Sequence, residues 1–274
     1  MDLRRPAIVA MIVVCLGAGA LGQAPNFDAA SVKRRTEPGG GFMGRQPGGR
    51  FTAQGVSLQD LIVFAYALQP YQIIGGPRWL DTDRWDVVAA GSTRDPAGVL
   101  VALQRLLADR FALAVRRETR EMPVYALMLA RSDGRLGPQL KRSAVDCSAV
   151  RSQAERTGNI PPEARMCDVQ GRIGSIQMSG SPIVDVAPLL STRLQRTVID
   201  RTGLTGPWDL TLTYTPEPNQ IAAGVVGPGV AATVDPNGPS IFTAVQEQLG
   251  LKLVPQTGPV SVLVIDHVEE PTDN

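Results

Sequence analysis

The chain has 274 residues, with 27 Lys and Arg against 26 Asp and Glu, and a formal net charge of +1. That balance excludes a protein held to nucleic acid or anionic lipid by bulk charge, and no basic patch interleaved with aromatics stands out. Hydrophobic residues make up 43% and charged residues 19%, which excludes a disordered chain, and the length suffices for one or two domains with real cores.

The first element reads as a targeting segment, residues 1–24. Arg4-Arg5 is its positive start, Ala7 to Leu21 an apolar run of 15 residues, and Gly22-Gln23-Ala24 the small residues for cleavage after Ala24. The run is short of the roughly 20 residues of a membrane span. We therefore expect a cleaved signal, a periplasmic or secreted protein, and no membrane span after cleavage; an uncleaved anchor is the alternative. Val14 stands where lipidation of Cys15 wants a small residue. Removing the segment takes away Arg4, Arg5 and Asp2 and leaves 25 basic and 25 acidic residues.

Residues 25–48 form a lead-in. Phe27 to Val32 reads as a short strand, and Glu37 to Gly48 as a flexible glycine-rich loop without the Gly-Lys-Ser/Thr ending of a phosphate cradle. From Gly49 a pattern begins that the chain later repeats. Gly49 to Val56 alternates as a strand does. Ser57 caps a helix whose apolar stripe is Leu58, Leu61, Ile62 and Ala65. Two strands follow, Tyr71 to Ile74 and Trp85 to Ala89, joined by the turn Gly75-Gly76-Pro77. A second helix carries Val99, Leu103, Leu106, Leu107 and Phe111 on one face and runs straight into a strand at Leu113 and Val115. Pro123 is expected to turn the chain, and Val124 to Leu129 closes the first module, residues 49–131.

Residues 132–170 are expected to link the modules and to hold a disulfide. Once Cys15 is lost, Cys147 and Cys167 remain, an even pair in an oxidising compartment. Their bond would close a loop of about 20 residues and contribute roughly 3 kcal/mol. A metal pair is the weaker alternative, because other ligand types are scattered and His267 is the one histidine.

The second module spans residues 171–268. Gly171 to Met178 reads as its first strand. Ser181 is the expected cap, with Pro182 at the first helical position and a stripe of Ile183, Val186, Ala187 and Leu190. Pro188 is expected to kink or end that helix. Thr197 to Asp200 and Trp208 to Tyr214 are the next strands. Residues 216–239 form an insertion, expected as a mobile surface loop. Ser240 caps the last helix, with Ile241, Ala244, Val245 and Leu249 on one face. Leu251 and Leu253 open a strand, Pro259 is expected to turn the chain, Val260 to Ile265 closes the module, and residues 269–274 are a tail. The order is β-α-β-β-α-β-β twice, anchored by Arg84-Trp85-Asp86-Val87 and Pro207-Trp208-Asp209-Leu210. The expectation is an α+β protein of two tandem modules, each a small mixed sheet packed with two helices.

Chemistry is harder to find. No Gly-x-Ser-x-Gly elbow, His-Glu-x-x-His, Cys-x-x-Cys or dinucleotide fingerprint occurs. Asp266 and His267 are neighbours on a strand and point to opposite faces, so His267 reads as a lone surface histidine rather than a triad member. Arg116 to Glu121 reads as a solvated charged face. The sequence offers no catalytic residue, no metal ligands and no cofactor site. One candidate ligand-binding surface remains, around Trp79, Arg84 and Trp85, because Trp and Arg are favoured interface residues. The reading we favour against it puts the tryptophans in the core and pairs the charges in solvent.

Several segments carry a resemblance. They are Phe27-Asp28-Ala29-Ala30-Ser31-Val32-Lys33, Gly75-Gly76-Pro77-Arg78-Trp79-Leu80, Leu106-Leu107-Ala108-Asp109-Arg110-Phe111, Glu118 to Tyr125, Asp200 to Gly206 and Val264 to Glu269. Together they resemble an uncharacterised family of exported proteins expanded in soil bacteria, notably acidobacteria. Some relatives are similar to the C-terminal part of antirepressor-type membrane metallopeptidases, whose peptidase region this chain lacks. Each half also looks like the short module at the N-termini of secretins and TonB-dependent receptors, which works in protein contacts. The family lends no activity to this chain, and our own expectation is an exported, non-catalytic binding or sensing module of the cell envelope that holds an envelope protein or ligand through a sheet edge or the Trp79 to Trp85 segment. The alternatives are an envelope hydrolase using paired carboxylates and a self-associating structural envelope protein.

Overall fold

The structure, a computed structural model, describes residues 25–271 apart from residues 38, 47, 92–94, 160, 168, 218–234 and 236. The targeting segment, most of the 216–239 insertion and residues 272–274 lie outside the described residues.

The first half runs β1 (Ala29–Arg35), β2 (Phe42–Gln46), β3 (Arg50–Val56), α1 (Leu58–Tyr66), β4 (Ile73–Ile74), α2 (Trp79–Thr82), β5 (Arg84–Ala90), α3 (Pro96–Phe111) and β6 (Ala114–Leu129). The second runs β7 (Leu140–Arg142), α4 (Cys147–Thr157), β8 (Val169–Arg172), β9 (Ser175–Pro182), α5 (Val186–Leu194), β10 (Val198–Asp200), β11 (Pro207–Thr213), α6 (Ile241–Leu249) and β12 (Leu251–His267). The chain is α+β, as expected.

The strands do not form two self-contained mixed sheets. They form three sheets, ordered β1-β5-β3-β2, β7-β11-β9-β8 and β10-β6-β12-β4. The first two are antiparallel and match position for position. The third is shared between the halves. Its centre is one long antiparallel ribbon of β6 and β12. Each short edge strand lies parallel to the long strand of the other half, β4 on β12 and β10 on β6.

The ribbon corrects one expectation. Pro123 and Pro259 do not turn the chain; β6 and β12 run through them. The Tyr125 N–H donates to Thr197 O at 2.8 Å, away from β12. Residues of that parity therefore turn their N–H groups outward, and Pro123 is one of them. Across the ribbon, Pro255 faces Tyr125 and Pro259 faces Glu121, so both occupy pairs without ladder bonds. None of the three prolines removes a hydrogen bond.

Other local expectations shift for similar reasons. The loop expected over Glu37 to Gly48 contains β2, paired with β3. Gly171 to Met178 is a hairpin rather than one strand, and Gly174 supplies the positive φ of its turn. Residues 132–170 are more than a link, since they supply β7 and α4. Ser57 caps α1 as expected: the Asp60 N–H donates to Ser57 Oγ at 3.0 Å and the Ser57 N–H to Asp60 Oδ2 at 3.1 Å. Ser181 does not cap α5. It lies in β9 opposite Trp208, and a 3-10 turn over Ile183–Asp185 leads into the helix. Pro188 falls in the first turn of α5, where its missing N–H breaks no helical bond, so no kink follows.

Three cores result. The first gathers Phe51, the stripes of α1 and α3, and Trp85, and is completed by Leu263 and Ile265 of β12. The second gathers the stripes of α5 and α6 with Trp208, and is completed by Leu127 of β6. Val124, Val260, Val262 and Val264 point to the opposite face of the shared sheet and form the third with Ile74, Met122 and Ile199. Each full burial of such a side chain is worth about 1.5–3 kcal/mol, so each half contributes materially to the other's core.

The repeated Trp-Asp pair has a structural role in both halves. Trp85 is 2% exposed and Trp208 3%. Asp86 Oδ1 accepts the Gly55 N–H and Asp209 Oδ1 the Gly180 N–H, both at 2.8 Å. Both glycines have positive φ and sit where the strand register slips by a β-bulge.

Candidate functional site

The structure separates the residues expected to form a binding ledge. Trp85 lies in the first core, edge-on to Phe111 with ring centroids 5.1 Å apart. Trp79 is half-buried on α2 and packs against the same core. Arg84 is exposed, but its Nη1 donates to Asp81 O at 2.7 Å, back into its own turn. Arg84 and part of Trp79 face solvent, while Trp85 is withdrawn into the core. Cys147 and Cys167 are joined by a disulfide, and Cys147 packs over the bulge glycine Gly180. His267 is exposed and lies 2.9 Å from Glu269.

A shallow, mostly apolar groove lies where the halves meet. It measures about 470 Å³ and runs along the free edge of β10. One wall is the 3-10 turn and α5, with Val184, Ala187, Pro188 and Ser191. The other is the segment after α1, with Ala67, Gln69, Tyr71 and Gln72. Val198, Ile199 and Asp200 of β10 form the floor.

Hydrogen bonds between the halves hold the walls in place. Gln69 Nε2 donates to Thr192 Oγ1 at 3.0 Å, and the Tyr71 and Thr197 hydroxyls lie 3.2 Å apart. Gln72 Nε2 donates to Ser261 O at 2.8 Å. Ser191 Oγ donates to Ala187 O at 2.7 Å and accepts the Val198 N–H at 2.8 Å. Burial raises the Tyr71 phenol above its ordinary value, against the lowering effect of its hydrogen bonds to Thr197 and Ser191. Asp200 is the one carboxylate in the lining, and its Oδ1 accepts the Thr202 N–H and hydroxyl at 2.9 and 2.8 Å.

Comparison of the halves explains why the groove is open. The spacing from Gly55 to Ile73 equals that from Gly180 to Val198, so α1 and α5 align without a gap. Ile62, Val63 and Tyr66 of α1 then correspond to Ala187, Pro188 and Ser191 of α5. The second half carries small residues where the first carries bulky ones. Sequence reasoning missed these positions because it aligned Ser181 with Ser57, one residue out of step.

Two carboxylates elsewhere are held by arginines. Glu118 and Asp133 are held below the usual carboxylate range by hydrogen bonds, first from Arg120 and Arg131 respectively, the opposite of what a general acid needs. A larger and more enclosed hollow of about 750 Å³, with a mixed polar and apolar lining, lies beside β8 and β9, between Gln177, Arg172 and Thr213. It adjoins the insertion, most of which lies outside the described residues. Among the described residues no three His, Cys, Asp or Glu side chains cluster as metal ligands, and no helix is long and apolar enough to cross a membrane.

Residues 59–268 match the family described as Protein of unknown function (DUF3738). The chain belongs to the DUF3738 family. No curated protein and no solved structure matches it. The DUF3738 match takes in α1 through β12, and therefore the whole groove and both long strands, but not β1 to β3.

Proposed function

We propose that this DUF3738 protein is an exported, non-catalytic binding module of the cell envelope, and that its ligand sits in the groove between α5 and β10. The groove carries this reading. It is mostly apolar, holds a few convergent polar groups and lies at the junction of two halves, the usual setting of a binding site. Export is supported by the residues at 1–24 and by the disulfide, which suits an oxidising compartment.

The test is a ligand screen on the purified chain. Thermal unfolding is followed against neutral peptides, saccharides and lipids, while chromogenic ester, peptide and glycoside substrates are checked for turnover. The reading expects a ligand that raises Tm in the parent and not in Val184→Arg, without turnover. Turnover lost on substituting surface carboxylates would favour the hydrolase alternative instead.

A further inference from the structure

We infer that the ligand of this groove is an extended, uncharged peptide segment that adds to β10 as a fifth strand of the shared sheet; this rests on the binding reading above. The backbone of β10 supplies the reason. Tyr125 N–H bonds Thr197 O, and Arg201 N–H bonds Leu127 O. Residues 197, 199 and 201 thus turn their polar groups towards β6. Val198 and Asp200 turn theirs the other way, into the groove. The Val198 N–H is already held by Ser191 Oγ. The Val198 carbonyl and the N–H and carbonyl of Asp200 remain on an edge with no neighbouring strand. One residue of an added parallel strand reaches the first two, with its N–H and its carbonyl, and the N–H two residues further on reaches the third.

The walls suit the side chains of such a strand. They present Ala67, Val184, Ala187 and Pro188, small apolar groups that fit β-branched or alanine residues. The lining holds one carboxylate, Asp200, whose Oδ1 accepts from Thr202, and no lysine or arginine, so it repels an anionic segment and needs no cation to complete its hydrogen bonds. A helix beside an open strand edge is also the geometry in which strand addition gives affinity through main-chain bonds and specificity through alternate side chains. The matching edge in the first half, β4, is only two residues long, and bulkier Ile62, Val63 and Tyr66 stand where α5 has small residues. The inference therefore assigns one such site, not two.

The test uses the chain expressed with its own N-terminal segment and purified from the periplasm. The probes are labelled neutral pentapeptides of Val, Thr, Ile and Ala, read by fluorescence anisotropy. Each is also made with a single N-methyl group at successive amides. Strand addition predicts that methylation at alternate amides weakens binding about tenfold or more while the intervening ones do not. It also predicts loss of binding in Val184→Arg, whose site is half exposed and whose fold is checked by an unchanged unfolding transition. Peptide binding indifferent to N-methylation overturns the strand geometry. No peptide binding across the set, with a saccharide or lipid still raising Tm, overturns the peptide inference and leaves the binding reading standing. No ligand of any class overturns both.

Discussion

Asp86 and Asp209 each hold the N–H of a bulge glycine, and each follows a tryptophan that fills a core. Asp86→Ala or Asp209→Ala leaves that amide without its acceptor and is expected to destabilise the protein by about 1–3 kcal/mol. Urea unfolding checks this, and the Asn variants are expected to lose less because the amide oxygen still accepts. Ala112 and Gly250 end α3 and α6 in the same left-handed conformation. Ala112→Gly is expected to stabilise by about 0.5 kcal/mol, since glycine removes the αL strain at a partly offsetting entropic cost. Gly250→Ala is expected to do the reverse more strongly, because a Cβ there would lie 2.5 Å from Gly137 N. At this scale the sequence showed that Trp-Asp recurs but not why. A tryptophan beside an aspartate reads as a core residue next to a solvent charge, or less readily as a ledge; neither reading contains the bulge acceptor. Burial places the tryptophans in the cores, and the β-bulge, a three-dimensional slip of register, gives the aspartates their role.

The helices were legible because a stripe at i, i+3, i+4 and i+7 needs only local geometry, and Leu58, Leu61, Ile62 and Ala65 are all buried. The long strands were not legible. Pro123 and Pro259 read as turns until the ladder parity places them in pairs without hydrogen bonds, and parity depends on a partner more than a hundred residues away. The disulfide was legible from cysteine count and compartment. The double variant Cys147→Ser with Cys167→Ser is expected to lose about 3 kcal/mol, by the loop-entropy estimate, and to keep its fold. Comparing its urea midpoint with that of the oxidised parent tests this. Three partly or fully buried tyrosines give a pH signature. Burial raises the phenols of Tyr66, Tyr71 and Tyr214. The folded state favours their neutral forms, so this contribution to stability is complete below the unfolded tyrosine pKa of about 10 and is lost as pH rises through the higher folded values. Ultraviolet titration is expected to show three late phenols in the parent and two in Tyr71→Phe.

Across the whole molecule the two halves follow one plan, but neither is complete in itself. β4 lies on β12, β10 lies on β6, Leu263 and Ile265 close the first core, and Leu127 enters the second. The expected tandem modules were inferred from element order, which is the same whether short strands pair within their own half or cross to the other. The groove is a product of the crossing, since Gln69, Tyr71 and Gln72 come from one half and α5 and β10 from the other. A protein divided between Arg131 and Ser132 tests this interlocking most directly. Residues 25–131 and 132–274 would be prepared separately and followed by circular dichroism during urea unfolding, alone and mixed. Interlocked halves predict no cooperative transition from either fragment alone and one shared transition from the equimolar mixture. A fragment that unfolds cooperatively by itself, unchanged by its partner, would contradict the account.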